Sequence, residues 1–159
     1  MKHPTKDWRQ PGSEVATARL ATGALLFIWG IRQWLVAVRD RQCIKRALMI
    51  PHYRLECVTA IYSLDALMRS LCEGAERKIE IRCPHHGTLS QDEQQLLQLI
   101  RSTQQPNPDA AARHAAHLVD PDHSAGLREA AADYARQLQC AGLGLSSPPQ
   151  LELMAGGIS

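Results

Sequence analysis

Residues 15–38 read VATARLATGALLFIWGIRQWLVAV, the most apolar run in a chain of 159 residues. How that run is read decides the fold. Within it, the twelve residues 20–31 carry no charge and are bounded by Arg19 and Arg32. As a helix they would reach about 18 Å at about 1.5 Å per residue, whereas a bilayer core is about 30 Å thick. Extending the run to Trp34, Leu35, Val36 and Val38 would leave the Arg32 guanidinium near mid-membrane, which is costly. The stretch is therefore expected to be the buried helix of a water-soluble protein. Leu20, Ala24, Phe27, Ile31, Leu35 and Val38 recur at spacings of three and four and form one stripe, widened by Leu25, Ile28 and Trp29. Gly23 and Gly30 lie on one face, where absent side chains admit a close neighbour.

Working outward, the composition agrees with that reading. The chain is 45% hydrophobic and 21% charged, enough for one core. Alanine and leucine are abundant and β-branched residues sparse, which favours helices over sheets. The expected fold class is all-α: a single-domain bundle of five or six helices around the hydrophobic N-terminal helix, with a short extended segment near 78–83. Residues 1–13 read as a flexible leader, 14–141 as the helical domain and 142–159 as a flexible tail. Ser13 is the expected N-cap of the first helix, with Glu14 in its first turn. Asp7 and Glu14 interrupt the basic leader, and Arg32 and Arg39 follow the apolar core closely, so no export signal is expected.

Charge is divided along the chain. Residues 1–82 hold 14 Lys and Arg against 8 Asp and Glu, and residues 83–159 hold 4 against 8, so the halves carry +6 and −4. They should attract each other, within one chain or between two. The basic run Arg39, Arg41, Lys45 and Arg46 is read as a solvated helix end. No recognition-helix or RNA-platform signature accompanies it, so neither nucleic acid nor a membrane is an expected partner. Five cysteines at irregular spacing, with no C-x-x-C, point to reduced thiols in a cytoplasmic protein.

Pro51 marks a break. From about residue 54 to 72, Cys57, Ile61, Leu64, Met68 and Leu71 form the seam of a second helix, with Gly74 terminating it. Ser90-Gln91-Asp92-Glu93 is a capping box opening a helix that buries Leu96, Leu97, Leu99 and Ile100 and ends at Pro106. Leu89 offers the outer half of a hydrophobic staple, which Gln94 leaves incomplete. Asp109 is the expected cap of a helix over 110–119. The last helix is expected over 124–140, with Leu127, Ala131, Tyr134 and Leu138 as its stripe and Gly142 closing it.

The one concentration of reactive side chains is Cys83-Pro84-His85-His86-Gly87, reached through the alternating Ile79, Ile81 and Cys83. A thiolate and two imidazoles are donors that zinc and iron accept. A four-ligand site built on Cys83, His85 and His86 would draw on His114 and His117, three apart on one helical face, or on Asp120, Asp122, His123 or a second chain. The plainer alternative makes Cys83 the end of a buried face, Pro84 and Gly87 a turn, and the histidines solvated. A Cys83 nucleophile beside His85 or His86 lacks any recognisable orienting or oxyanion element. No G-x-G-x-x-G, P-loop, H-E-x-x-H or G-x-S-x-G occurs. The favoured reading is a non-enzymatic helical interaction or regulatory module that binds another protein or itself as a homo-oligomer. The alternative is a metal (zinc or iron) or thiol-redox protein.

Overall fold

Thr22–Arg39 forms the first helix, α1, and ten of its eighteen residues are buried. The structure, a computed structural model, describes residues 14–104 and 107–145. Five further helices follow: α2 (Ile44–Arg54), α3 (Ala60–Gly74), α4 (Gln91–Gln104), α5 (Pro108–Ala116) and α6 (Pro121–Cys140), with a 3-10 turn, Thr17–Arg19, ahead of α1. Among the described residues there is no β-strand, and the extended pairing is a single bridge between Ala16 and Thr88. No helix among them is long and apolar enough to cross a membrane.

α1 packs against α2, α3 and α4, while the most extensive helix pair is α3 with α6, and α4 packs on both α5 and α6. One hydrophobic core runs through the bundle, from Phe27 and Ile31 in α1 to Leu64 in α3, Ile100 in α4 and Tyr134 in α6. The seams expected for α3, α4 and α6 are buried throughout. At the start of α4 the capping box forms as its sequence implies. The Glu93 backbone N–H donates to Ser90 Oγ at 3.0 Å, and the Ser90 N–H donates to Glu93 Oε1 at 2.9 Å. Gly142 adopts a positive φ of 79° after α6. There the Leu143 N–H turns back to the carbonyl of Leu138, a closure that glycine permits without strain.

Several boundaries differ from the sequence reading. α1 begins at Thr22 rather than near residue 14, so Glu14 is not in its first turn. Ser13, with the rest of the leader, lies outside the described residues. Pro51 does not separate two helices but sits inside α2, three residues before its end, where the lost N–H costs one hydrogen bond late in the helix. Burial of Leu48 and His52 on the same short helix offsets that loss. The chain then turns through Glu56, at a φ of 61°, and α3 starts at Ala60, so Cys57 is buried from a turn rather than from the helix. Asn107 rather than Asp109 caps α5, its side chain accepting from the Ala110 N–H at 3.2 Å. α6 starts three residues early, with Asp120 as cap and Pro121 in the first turn. Residues 142–145 belong to the body: Leu145 is fully buried. The tail beyond them lies outside the described residues.

Gly74 ends α3 for a reason other than a left-handed turn. Its carbonyl accepts from the Asp120 N–H at 2.9 Å, which brings the start of α6 against it. A Cβ at this position would meet His123 Cβ at 2.5 Å and Val119 Cβ at 2.9 Å. These neighbours sit close to main chain and cannot swing aside. Gly74→Ala is therefore expected to destabilise the protein by about 1–3 kcal/mol through overpacking, measured by urea unfolding. A variant as stable as the parent would mean that α3 and α6 do not meet this closely.

Candidate functional site

Beside α1 lies a cavity of about 300 Å³, open to solvent along one side. α1 supplies Leu25, Leu26, Ile28 and Trp29, α2 and the residue after it supply Pro51 and Leu55, and the turn after residue 83 supplies Pro84. Thr17, Thr22 and Arg32 complete the lining. Leu25 is 42% exposed although it sits in the most apolar run of the chain. The stripe read from the sequence assigned Leu25 to the core, but that side of α1 faces the cavity. Leu35 and Val38, also assigned to the stripe, are exposed in the last turns of α1. α2, a helix the sequence reading passed over, contributes the opposite wall. Its signal was present as Ile44, Ala47, Pro51 and Leu55 at spacings of three, four and four, obscured by a proline and four surrounding cations.

Arg32 fixes the third wall. Its side chain is 2% exposed and that of Glu93 is fully buried. Nε donates to Glu93 Oε2 at 2.8 Å and Nη2 donates to Oε1 at 2.9 Å, a bidentate ion pair. Nη1 also donates to the His86 carbonyl at 2.9 Å, and Nη2 to the Thr88 carbonyl at 2.8 Å. Glu93 in turn accepts the Arg82 N–H at 3.0 Å and the Ser90 N–H at 2.9 Å. One carboxylate thus caps α4, neutralises a cation of α1 and satisfies the extended segment before the turn. The neighbouring Asp92 does similar work at the surface. It accepts from Arg77 at 2.8 Å and from the Glu80 N–H at 2.8 Å, and Arg77 beside it holds its carboxyl below the usual range despite partial burial. The extended segment near 78–83 is therefore held by side chains of α4 instead of by a second strand. Part of the attraction between the basic and acidic halves is satisfied within one chain, through Arg32–Glu93 and Arg77–Asp92.

His52 is fully buried, and its ring lies 6.5 Å from that of Trp29, a residue of the cavity wall. Nδ1 is 2.8 Å from the Leu48 carbonyl, which can only accept, so this nitrogen carries the proton. Nε2 then accepts from the Tyr134 hydroxyl at 3.1 Å. Burial lowers the His52 pKa and raises that of Tyr134 well above its ordinary value, so both stay neutral.

The residues considered as metal ligands lie as follows. Cys83, His85 and His86 are exposed in the turn, where His86 Nδ1 lies 3.2 Å from the Thr88 N–H and carbonyl. His114, on α5, holds Gln95 Oε1 at 2.8 Å, and His117 gives its carbonyl to Arg77. Asp120 and His123 pair with each other at 2.7 Å. Among the described residues, no three or more His, Cys, Asp or Glu side chains converge as a metal site would require. Burial raises the Cys57 and Cys72 thiols, favouring the protonated form over the nucleophilic thiolate. Among the described residues the cavity wall contains no Asp, Glu, His, Cys or Lys, and the ionisable group on it, Arg32, is committed to four acceptors. Such a wall suits apolar groups, and its two hydroxyls, on Thr17 and Thr22, have no base beside them among the described lining residues.

Compared with known protein families, curated proteins and solved structures, the chain has no significant match to any.

Two measurements bear on this geometry. Glu93→Gln leaves the Arg32 charge buried without its counter-ion and is expected to cost about 3–5 kcal/mol in urea unfolding. Replacing both partners by apolar residues, as Arg32→Met with Glu93→Leu, is expected to remain well below wild type, because the acceptors at His86 and Thr88 and the donors at Arg82 and Ser90 lose their partners together. Full recovery in the double variant would reduce the cluster to a simple ion pair. For His52, a folded-state pKa below the unfolded one gives stability that is complete above about pH 6.5 and lost as pH falls through that value. His114 acts in the same direction, and the exposed His123, raised by Asp120, acts weakly in the opposite one. Stability should therefore fall between pH 7.5 and 5.5, and less steeply in His52→Phe. An equal slope in both proteins would remove His52 as the cause.

Proposed function

We propose that this protein is a non-enzymatic interaction module that captures a helical segment of another protein in the groove between α1 and α2. The observation that carries this reading is the groove itself. It is lined mainly by leucine, isoleucine, tryptophan and proline, and no histidine, carboxylate, amine or thiol among the described lining residues is there to activate the Thr17 and Thr22 hydroxyls. α2 also exposes Ile50 and Tyr53, at 63% and 69%.

Charge selects the partner. α2 carries Lys45, Arg46 and Arg54 and no acidic residue, and the approach to it carries Arg39 and Arg41 against Asp40 alone. An amphipathic helix with leucine-type anchors suits the groove, and acidic flanks suit the basic residues that α2 carries beyond it. Five cysteines at irregular spacing with no C-x-x-C suit a reducing compartment, and the reading assigns the module to the cytoplasm on that support.

A fluorescently labelled amphipathic peptide with acidic flanks is expected to bind saturably in an anisotropy titration, and the same apolar pattern with basic flanks is expected to bind more weakly. Leu25→Asp, at a half-exposed position, should weaken binding about tenfold or more without lowering the melting temperature. Equal binding of a scrambled peptide, or of the Leu25→Asp protein, would overturn the proposal. Concentration-dependent dimerisation that Leu25→Asp abolishes would also overturn it, replacing the foreign helix with a second copy of this chain.

A further inference from the structure

Arg32, Arg77 and Arg82 each pair with a carboxylate, but Arg101, away from the groove, has none among the described residues. It is half-buried on α4, and its Nε donates to the Leu145 carbonyl at 2.7 Å. That bond occupies one edge of the guanidinium. Neither Nη1 nor Nη2 has a hydrogen bond or ion pair among the described residues. Arg101 lines a polar cleft of about 260 Å³ between α4 and α5, whose wall among the described residues contains no acidic side chain. The same wall holds Gln98, Asn107 and His114. Asn107 commits its Oδ1 to the Ala110 N–H as the cap of α5, which leaves its NH₂ as the group without a partner. Gln98 is exposed and has no side-chain hydrogen bond among the described residues. His114 Nδ1 donates to Gln95 Oε1, leaving Nε2 with a lone pair while the ring is neutral. Burial, with Arg113 and His117 adjacent, lowers the pKa of this ring and keeps it neutral at pH 7.

We infer that this cleft binds a small oxyanion that also bears a hydroxyl group, either a hydroxycarboxylate or a phosphate. The free end of Arg101 presents two parallel N–H groups to two oxygens, the fork that carboxylate and phosphate accept. The amides of Asn107 and Gln98 add neutral donors. His114 Nε2 accepts from the ligand hydroxyl, which distinguishes the cleft from a bare anion site. A positive charge with no counter-ion among the described residues, in a partly desolvated position, is the feature an oxyanion relieves.

The test is an NMR titration of the full chain with lactate, with inorganic phosphate and with acetate, at ionic strength held constant with chloride. Saturable shifts are expected at Arg101 Nε and at the side-chain amides of Asn107 and Gln98. Saturation by lactate alone identifies a hydroxycarboxylate site, and by phosphate alone a phosphate site, with acetate weaker than either. Arg101→Gln should weaken binding about tenfold or more. Because that change also removes the bond to Leu145, a second variant guards against a folding artefact. Asn107→Asp keeps a good N-cap but puts a carboxylate beside Arg101, and it should abolish saturation at an unchanged melting temperature. Shifts that do not saturate, that acetate reproduces equally, or that persist in Asn107→Asp would overturn the inference.

Discussion

The charge of Arg32 is the constraint around which this bundle is built. A guanidinium 2% exposed between apolar helices is untenable unless its donors are met. Its partners come from three places far along the chain: the Glu93 carboxylate, the His86 carbonyl and the Thr88 carbonyl. Glu93 spends its remaining acceptor capacity on the Ser90 and Arg82 amides. The result is a closed polar cluster in which every member is satisfied, and no buried side-chain polar atom among the described residues lacks a partner. By gripping the turn through its carbonyls, Arg32 also sets where Pro84 stands, and with it one wall of the groove.

The groove follows from this arrangement and from a mismatch on α1. That helix is apolar over more of its circumference than its neighbours can cover, so the side bearing Leu25 and Trp29 is left facing solvent across from Pro51 and Leu55. Buried faces elsewhere are matched more fully, most of all where α3 meets α6. An unmatched apolar side beside a helix free of acids is the physical basis for reading the protein as a binder of acidic amphipathic helices.

Much of the fold was legible because local patterns and tertiary demands agree. The seam Ile61, Leu64, Met68 and Leu71, the stripe Leu127, Ala131, Tyr134 and Leu138, and the capping box at Ser90 each read directly as what they form. The groove was not legible, because periodicity marks Leu25 as apolar without saying that its side of α1 finds no partner. Arg32 read as an interruption of a greasy run, since nothing in a linear pattern announces a counter-ion sixty-one residues away. α2 was hidden by Pro51, which normally argues for a boundary but here falls where only one hydrogen bond is lost. The cluster at Cys83 drew attention for its donor atoms, yet the contribution of that turn to the structure comes from main-chain carbonyls, which carry no sequence signature.

The span between Arg32 and its partners has a consequence for biosynthesis. A nascent chain that has emerged only as far as α3 contains the cation but none of the groups that neutralise it. Until Glu93 has left the ribosome, seating α1 would strand an arginine in a dry interior. The burial of α1 in its final place is therefore expected only after α4 has been made.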